Sequence, residues 1–339
     1  MDLTRPADLA AANGKTVLIT GGASGLGEGM VRRFAKAGAN VIVADLAGSK
    51  GEALVEELRK ETENWNHHFI PCDVTSWAQQ CALFTRALAL SPSKRLHSVI
   101  ANAGVGEVGD FLKPSPASDR QPPEPDLTTL DVNLKGVIFT TKLALHHFRA
   151  KSPGGEEEED QHLLLIGSMA SFADSPGVVS LYAASKHAVL ALFRTLRLHP
   201  GNENKQVRFN IVCPYFVATP IIPTMGRVML SGVELARAED VVEAAARLVC
   251  DVRAKGKCLV VAPRGVGGIL EMETASMKDV EAFTRRVVGA LNAQGHMQTL
   301  ARWSVDMVRI FGVKVVAVFG AVAAAVAWWW WCMVCKQRV

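Results

Sequence analysis

Thr16-Val17-Leu18-Ile19-Thr20-Gly21-Gly22-Ala23-Ser24-Gly25-Leu26-Gly27 is a β-branched run that breaks into glycines. With Lys15, the first part predicts a buried strand over 15–20. The pattern from Glu28 to Ala37, closed by Gly38, predicts a helix. Strand, glycine turn and helix in that order form the context that a phosphate-binding loop needs. Gly21 permits the tight turn, Gly25 lets the backbone approach a pyrophosphate, and Gly27 lets helix and strand pack closely. The helix N-terminus, around Ser24 and Leu26, then offers N–H groups and a positive dipole end to phosphates.

Moving outward, Asn40 to Asp45 predicts a second strand that ends in an acid about twenty residues past the loop. A carboxylate there accepts ribose hydroxyls and repels a 2′-phosphate, and no Arg follows it directly. This favours NAD over NADP. Residues 50–64 and 76–90 read as helices, and 68–74 as a third strand that places Asp73 and Val74 near an adenine edge. A fourth strand ends in Asn102-Ala103-Gly104, and further strands are expected over 162–168, 207–214 and 257–263. Strands alternating with helices predict an α/β fold: a doubly wound, parallel, seven-stranded sheet with helices on both faces. Ligands in such sheets bind at the carboxyl ends of the strands, where Gly21, Asp45, Asp73 and Asn102 fall.

A helix is expected over about 127–150, with Leu130, Leu134, Val137, Ile138 and Thr141 on its buried side and Asn133 in its first part. The fifth strand ends in Ser168, and Tyr182-Ala183-Ala184-Ser185-Lys186 follows. Tyr and Lys four apart share one helix face. A phenol titrates near pH 10 when free, and a neighbouring ammonium favours its phenolate.

Thr20-Gly21 with Gly25 and Gly27, then Asn102-Ala103-Gly104, Asn133, Ser168 and Tyr182-x-x-x-Lys186 succeed one another in this order. The chain over about 14–265 therefore resembles the short-chain dehydrogenase/reductase family. Within it, Asp45 and Asn210-Ile211-Val212-Cys213-Pro214 look similar to 15-hydroxyprostaglandin dehydrogenase and to fungal secondary-metabolite alcohol dehydrogenases. The resemblance implies a Rossmann fold and NAD-linked interconversion of a secondary alcohol and a ketone. It implies Tyr182 as general acid/base, Ser168 as hydrogen-bond partner of the substrate oxygen, and Lys186 as the group that lowers the Tyr182 pKa and holds the nicotinamide ribose. It implies Asn133 as holder of a relay water. Gly104 and Thr219 join the cofactor contacts on the same basis. Two positions depart from the pattern: Tyr215 stands where Gly usually follows Pro214, and Val179 stands three residues before Tyr182. The family often forms dimers or tetramers through long helices that include the Tyr182 helix, so the resemblance leaves the oligomeric state open, with a homodimer among the assemblies it implies.

Past the catalytic domain (14–270, after a tail at 1–13), residues 271–313 read as a helical extension. Val315 to Cys335 carries no charge, and Trp328-Trp329-Trp330-Trp331 lies near its end. At 1.5 Å per residue such a run spans roughly 30 Å, about one hydrocarbon core. A single-pass C-terminal transmembrane helix over 314–335 is expected, with the enzyme domain cytosolic and the endoplasmic reticulum a fitting membrane. Met225, Met229 and Leu230, in an expected lid over 221–235, point with the anchor to a bulky hydrophobic substrate: steroid, retinoid, fatty, terpenoid or polyketide.

Net charge is +4 with Lys and Arg scattered, and no basic stripe carries interleaved aromatics, which argues against nucleic acid. Seven Cys without a regular framework indicate reduced thiols. The pairs His67-His68 and His146-His147 have no further ligands at metal spacing, so no metal is expected. The alternative to an enzyme is a non-catalytic, NAD-binding regulator or scaffold held at a membrane.

Overall fold

A computed structural model describes residues 1, 3, 5, 7–114, 121–148, 160–173, 179–198, 207–219, 221–222, 228, 230–273, 305–306 and 309. The chain divides into two compact units, Met1–Ile221 with Leu235–Arg285, and Ile222–Glu234 with Arg286–Val339. In the second, the Gly232 amide donates to Asp306 Oδ2 at 3.3 Å.

The first unit is a sheet of β1 (Thr16–Thr20), β2 (Asn40–Asp45), β3 (His68–Pro71), β4 (Ser98–Ala101), β5 (Gln161–Ile166), β6 (Val207–Pro214), β7 (Cys258–Val261) and β8 (Ile269–Glu271), in the order β3-β2-β1-β4-β5-β6-β7-β8. All pairings are parallel except β7 with β8. The seven expected strands are present, and the eighth corrects the count. Gly267 and Gly268, both at positive φ, reverse the chain after β7, and three residues suffice to pair antiparallel at the edge.

Strands β1, β4 and β7 are buried along their whole length, which is why they read as unbroken apolar runs rather than alternating ones. The helices are α1 (Gly25–Lys36), α2 (Gly51–Thr62), α3 (Trp77–Leu90), α4 (Thr128–Leu130), α5 (Val137–Phe148), α6 (Ser180–Leu196) and α7 (Ala238–Cys250). α1 packs on α2 and α7, and α3 packs on α5. On α1, Met30, Val31, Phe34 and Ala35 face inward, while Arg32 pairs outward with Glu28 at 2.9 Å. The strand order reverses between β1 and β4, so the ends of these two strands flank the switch point.

The helix expected over 127–150 is interrupted. Asp131–Gly136 is a π-helical turn between α4 and α5. The wider turn advances the side-chain register, so Ile138, expected inside, is 44% exposed, whereas Gly136, Val137, Thr140 and Thr141 are buried. A π-turn inside a helix is also a frequent marker of a functional position, and Asn133 lies at its centre.

Cys72, Cys81, Cys213, Cys250 and Cys258 are free thiols. Among the described residues no helix is long and apolar enough to cross a membrane. The span expected at 314–335, Trp328–Trp331 within it, and Met225 and Met229 of the expected lid all lie outside the described residues.

Candidate active site

The glycine turn leaves β1 with Gly21 at φ +63°, and α1 begins at Gly25, three residues earlier than the apolar pattern suggests. The first helical turn is therefore made of the motif itself. A Cβ on Gly21 would stand 2.7 Å from Ala103 Cα, and one on Gly27 would stand 2.0 Å from the Gly21 carbonyl oxygen. Gly27 thus makes room for the loop's own backbone. Ser24, at the N-cap, makes no side-chain capping bond, and Ser24 and Gly25 are exposed. The first-turn amides of α1, around Leu26, have no internal side-chain cap. These features fit the pyrophosphate of a dinucleotide.

Asn102, at the end of β4, does not reach outward. Its Nδ2 donates to the carbonyls of Thr20 at 2.9 Å and Gly21 at 3.0 Å. The Asn102 and Ala103 amides donate to Thr20 Oγ1 at 3.1 and 3.2 Å. The end of β4 is thereby latched to the glycine turn. The Asp45 carboxylate accepts from the Ala23 amide at 2.9 Å and from the Leu46 amide at 2.8 Å, so it too steadies the loop from the end of β2. Asp73 is occupied locally: its Oδ1 accepts from the amide and the hydroxyl of Thr75, both at 2.8 Å. Val74 is buried against Gly136, and Thr219 is buried with its amide donating to the Val217 carbonyl at 2.7 Å.

Ser168, Tyr182 and Lys186 converge beyond the end of β5. Ser168 is extended and caps a short 3-10 turn (Met169–Ser171), accepting from the Ala170 amide at 3.2 Å. Its hydroxyl acts on the Tyr182 phenol and favours the ionised form. Lys186 Nζ lies 5.7 Å from the Tyr182 ring centroid and donates to the Ile166 carbonyl at 3.1 Å. Gly104 borders the same space: a Cβ there would meet Asn133 Oδ1 at 3.2 Å and Lys186 Nζ at 3.8 Å.

The electrostatics differ from the sequence expectation. Burial pushes the Tyr182 phenol above the ordinary tyrosine value, the Ser168 hydrogen bond works in the opposite direction, and a nearby Cys213 adds to the rise. Burial brings the Lys186 ammonium down to about 8, with Cys213 opposing. Desolvation dominates where the four-residue spacing predicts charge pairing, because α6 turns this face inward, with Lys186 buried, rather than leaving it open to solvent.

Asn133 is fully buried in the π-turn. Its Oδ1 accepts from the Val105 amide at 2.8 Å, and its Nδ2 donates to the Val105 carbonyl at 2.9 Å and to Ser185 Oγ at 3.3 Å. It clamps the strand exit beside Lys186. Tyr215, where the family pattern has Gly, packs against the apolar core shared with α1 and α7.

Sequence reasoning passed over three residues that hold this arrangement. Ser171 Oγ accepts from the Ser168 amide at 3.2 Å and donates to the Lys186 carbonyl at 2.8 Å. Ser185 Oγ donates to the Tyr182 carbonyl at 2.7 Å. Glu107 accepts from the Leu181 amide at 3.1 Å and the Tyr182 amide at 2.7 Å. Ser185 was visible as the residue beside Lys186; Glu107 is 75 residues from its partner Tyr182 and has no local signal.

The family model for short chain dehydrogenases matches residues 15–227, and the chain belongs to that family of oxidoreductases. Its fold and loop imply a nicotinamide dinucleotide cofactor. The chain is 36% identical over 272 residues to 5′-hydroxyaverantin dehydrogenase of Dothistroma septosporum, covering 76% of this chain and 87% of that one. It is 34% identical over 284 residues to a 5′-hydroxyaverantin dehydrogenase of Emericella nidulans, covering 78% and 89%. An NADP-dependent dehydrogenase of a Phoma species is 31% identical over 304 residues, covering 83% and 87%. Among solved structures, 3-ketoacyl-(acyl-carrier-protein) reductase from Brucella melitensis complexed with NADH matches with a TM-score of 0.57 at 27% identity, covering 74% of this chain and 97% of that one.

Proposed function

We propose that this protein interconverts a bulky, hydrophobic secondary alcohol and its ketone, with Tyr182 as acid/base and NAD ahead of NADP as cofactor. The observation that carries this reading is the convergence of Ser168, Tyr182 and Lys186 beyond the end of β5, with Lys186 Nζ 5.7 Å from the Tyr182 ring and the Ser168 hydroxyl favouring the phenolate. In oxidation, the Tyr182 phenolate takes the hydroxyl proton of the alcohol, while the Ser168 hydroxyl donates to the substrate oxygen and steadies its developing charge. In reduction the Tyr182 phenol returns that proton. When bound, an oxidised nicotinamide would supply the hydride acceptor. The first turn of α1 would hold the phosphates, and Lys186 the nicotinamide ribose. Asp45 supports NAD, since a carboxylate at the end of β2 repels a 2′-phosphate.

The names of the two hydroxyaverantin dehydrogenases make 5′-hydroxyaverantin the first alcohol to test. A panel of this compound, testosterone, a long-chain 2-alkanol and borneol, with glycerol and glucose as polar controls, is followed by absorbance of reduced cofactor with NAD and with NADP. Faster turnover of the polar controls overturns the substrate class. Tyr182→Phe should lose turnover and keep cofactor binding; retained turnover overturns the mechanism.

The same reading includes a C-terminal membrane anchor over 314–335, supported by its uncharged run and Trp cluster. The expressed full chain should stay in the pellet after alkaline carbonate extraction, and a chain ending at residue 313 should not.

A further inference from the structure

Helix α6 carries both Tyr182 and Lys186, yet its own N-terminus has no local cap. The N-cap position is Val179, which has no side-chain oxygen. The first N–H groups of a helix need partners from outside it. Here they come from across the fold: Glu107 Oε1 takes the Leu181 amide at 3.1 Å, and Oε2 takes the Tyr182 amide at 2.7 Å. A carboxylate at this end also meets the positive pole of the helix.

The loop that presents Glu107 is itself held on both sides. Asn133 clamps both backbone groups of Val105. Thr129 Oγ1, fully buried, accepts from the Val108 amide at 2.9 Å and donates to the Gly106 carbonyl at 3.2 Å. Asn133 also reaches Ser185 Oγ, which donates to the Tyr182 carbonyl. The backbone of Tyr182 is thus gripped twice, at its amide by Glu107 and at its carbonyl by Ser185. Both grips lead back to the loop that follows β4.

We infer that Glu107 is a positioning residue for the acid/base tyrosine: its carboxylate fixes the first turn of α6, and with it the place of the Tyr182 phenol against Ser168. This rests on the reading of Tyr182 as the acid/base. Removing the carboxylate frees two first-turn amides in the segment that carries the phenol. A small misplacement of a reacting group costs rate far more than it costs stability.

The experiment uses the full chain, with Glu107→Gln, Glu107→Ala and Tyr182→Phe. Amide hydrogen exchange at Leu181 and Tyr182 should quicken about tenfold or more in Glu107→Ala, while the β1 and β4 amides keep their wild-type rates. With 5′-hydroxyaverantin as probe, kcat per cofactor-binding site should fall about tenfold to a hundredfold in Glu107→Ala and less in Glu107→Gln, which keeps one acceptor oxygen. The cofactor dissociation constant should stay within twofold. A residue that only stabilises the fold would lower the folded fraction and leave kcat per site unchanged, which overturns the inference. Exchange rates within twofold of wild type also overturn it. If wild type leaves 5′-hydroxyaverantin untouched, that substrate assignment falls and the exchange ratio decides alone. If Tyr182→Phe stays active, the acid/base reading falls, and this inference with it.

Discussion

Replacing Asn102 by Asp is nearly isosteric, yet it should cripple cofactor binding. The Asn102 side-chain amide donates to two backbone carbonyls, Thr20 at 2.9 Å and Gly21 at 3.0 Å, which are the last carbonyl of β1 and the first of the glycine turn. Each bond contributes about 1 kcal/mol net. In Asn102→Asp both donors become an ionised oxygen facing two carbonyl oxygens, so the loss includes repulsion as well as the missing bonds. A total of about 3 kcal/mol follows, and it falls on the loop conformation that presents the first-turn amides of α1. Since that conformation must be restored before phosphate can be held, the affinity for NADH or NADPH should drop about a hundredfold. Asn102→Ala, which loses the bonds without adding charge, should drop less. Acid should partly rescue Asn102→Asp, because a protonated carboxyl can donate one of the two bonds, and it should not rescue Asn102→Ala. Fluorescence titration of reduced cofactor between pH 5 and pH 8 reads all three arms. A dissociation constant for Asn102→Asp within threefold of wild type at pH 8 would refute the latch, as would an Ala variant weaker than the Asp variant.

Three further outcomes follow from the titratable groups. The chain has only two tyrosines, Tyr182 and Tyr215, and burial raises both, so absorbance of phenolate should show two ionisations above the free value of 10. In a Tyr215→Phe background, Ser168→Ala should move the remaining ionisation of Tyr182 upward, since the Ser168 bond lowers it; a downward movement contradicts the geometry. His67 is buried, with Nδ1 accepting the Val41 amide of β2, and burial lowers it to about 4 from 6.5. Below pH 6.5 the unfolded chain therefore binds a proton that the folded one refuses, and stability is lost as pH falls from about 6.5 toward 4. Thermal unfolding should show this decline, and a His67 NMR titration with a midpoint near 6.5 would contradict it.

Much of the site was legible because its signals are local. A glycine turn between a buried strand and a helix restricts backbone conformation wherever it occurs, and four residues set Tyr182 and Lys186 on one helical face. What was misread shares a different origin. Ile138 lies outside because a π-turn at 131–136 shifts the register, and nothing in the residue pattern announces the extra residue. β8 exists because an edge of β7 is available, and a three-residue strand has too short a period to be seen. The partners of Asn102 and Asn133 are not misread but invisible in the sequence: their side-chain amides bond backbone groups that only the fold brings within reach.

The amino-acid order alone determined the doubly wound sheet, the glycine turn at Gly21–Gly27 and the grouping of Ser168, Tyr182 and Lys186, because strand burial, glycine turns and helical spacing are short-range properties. The tertiary structure decided what holds those groups and how they titrate. Glu107 meets Tyr182 across 75 residues, and the Lys186 ammonium is lowered to about 8 by burial. Desolvation and long-range hydrogen bonding depend on which surfaces meet, and only folding determines that.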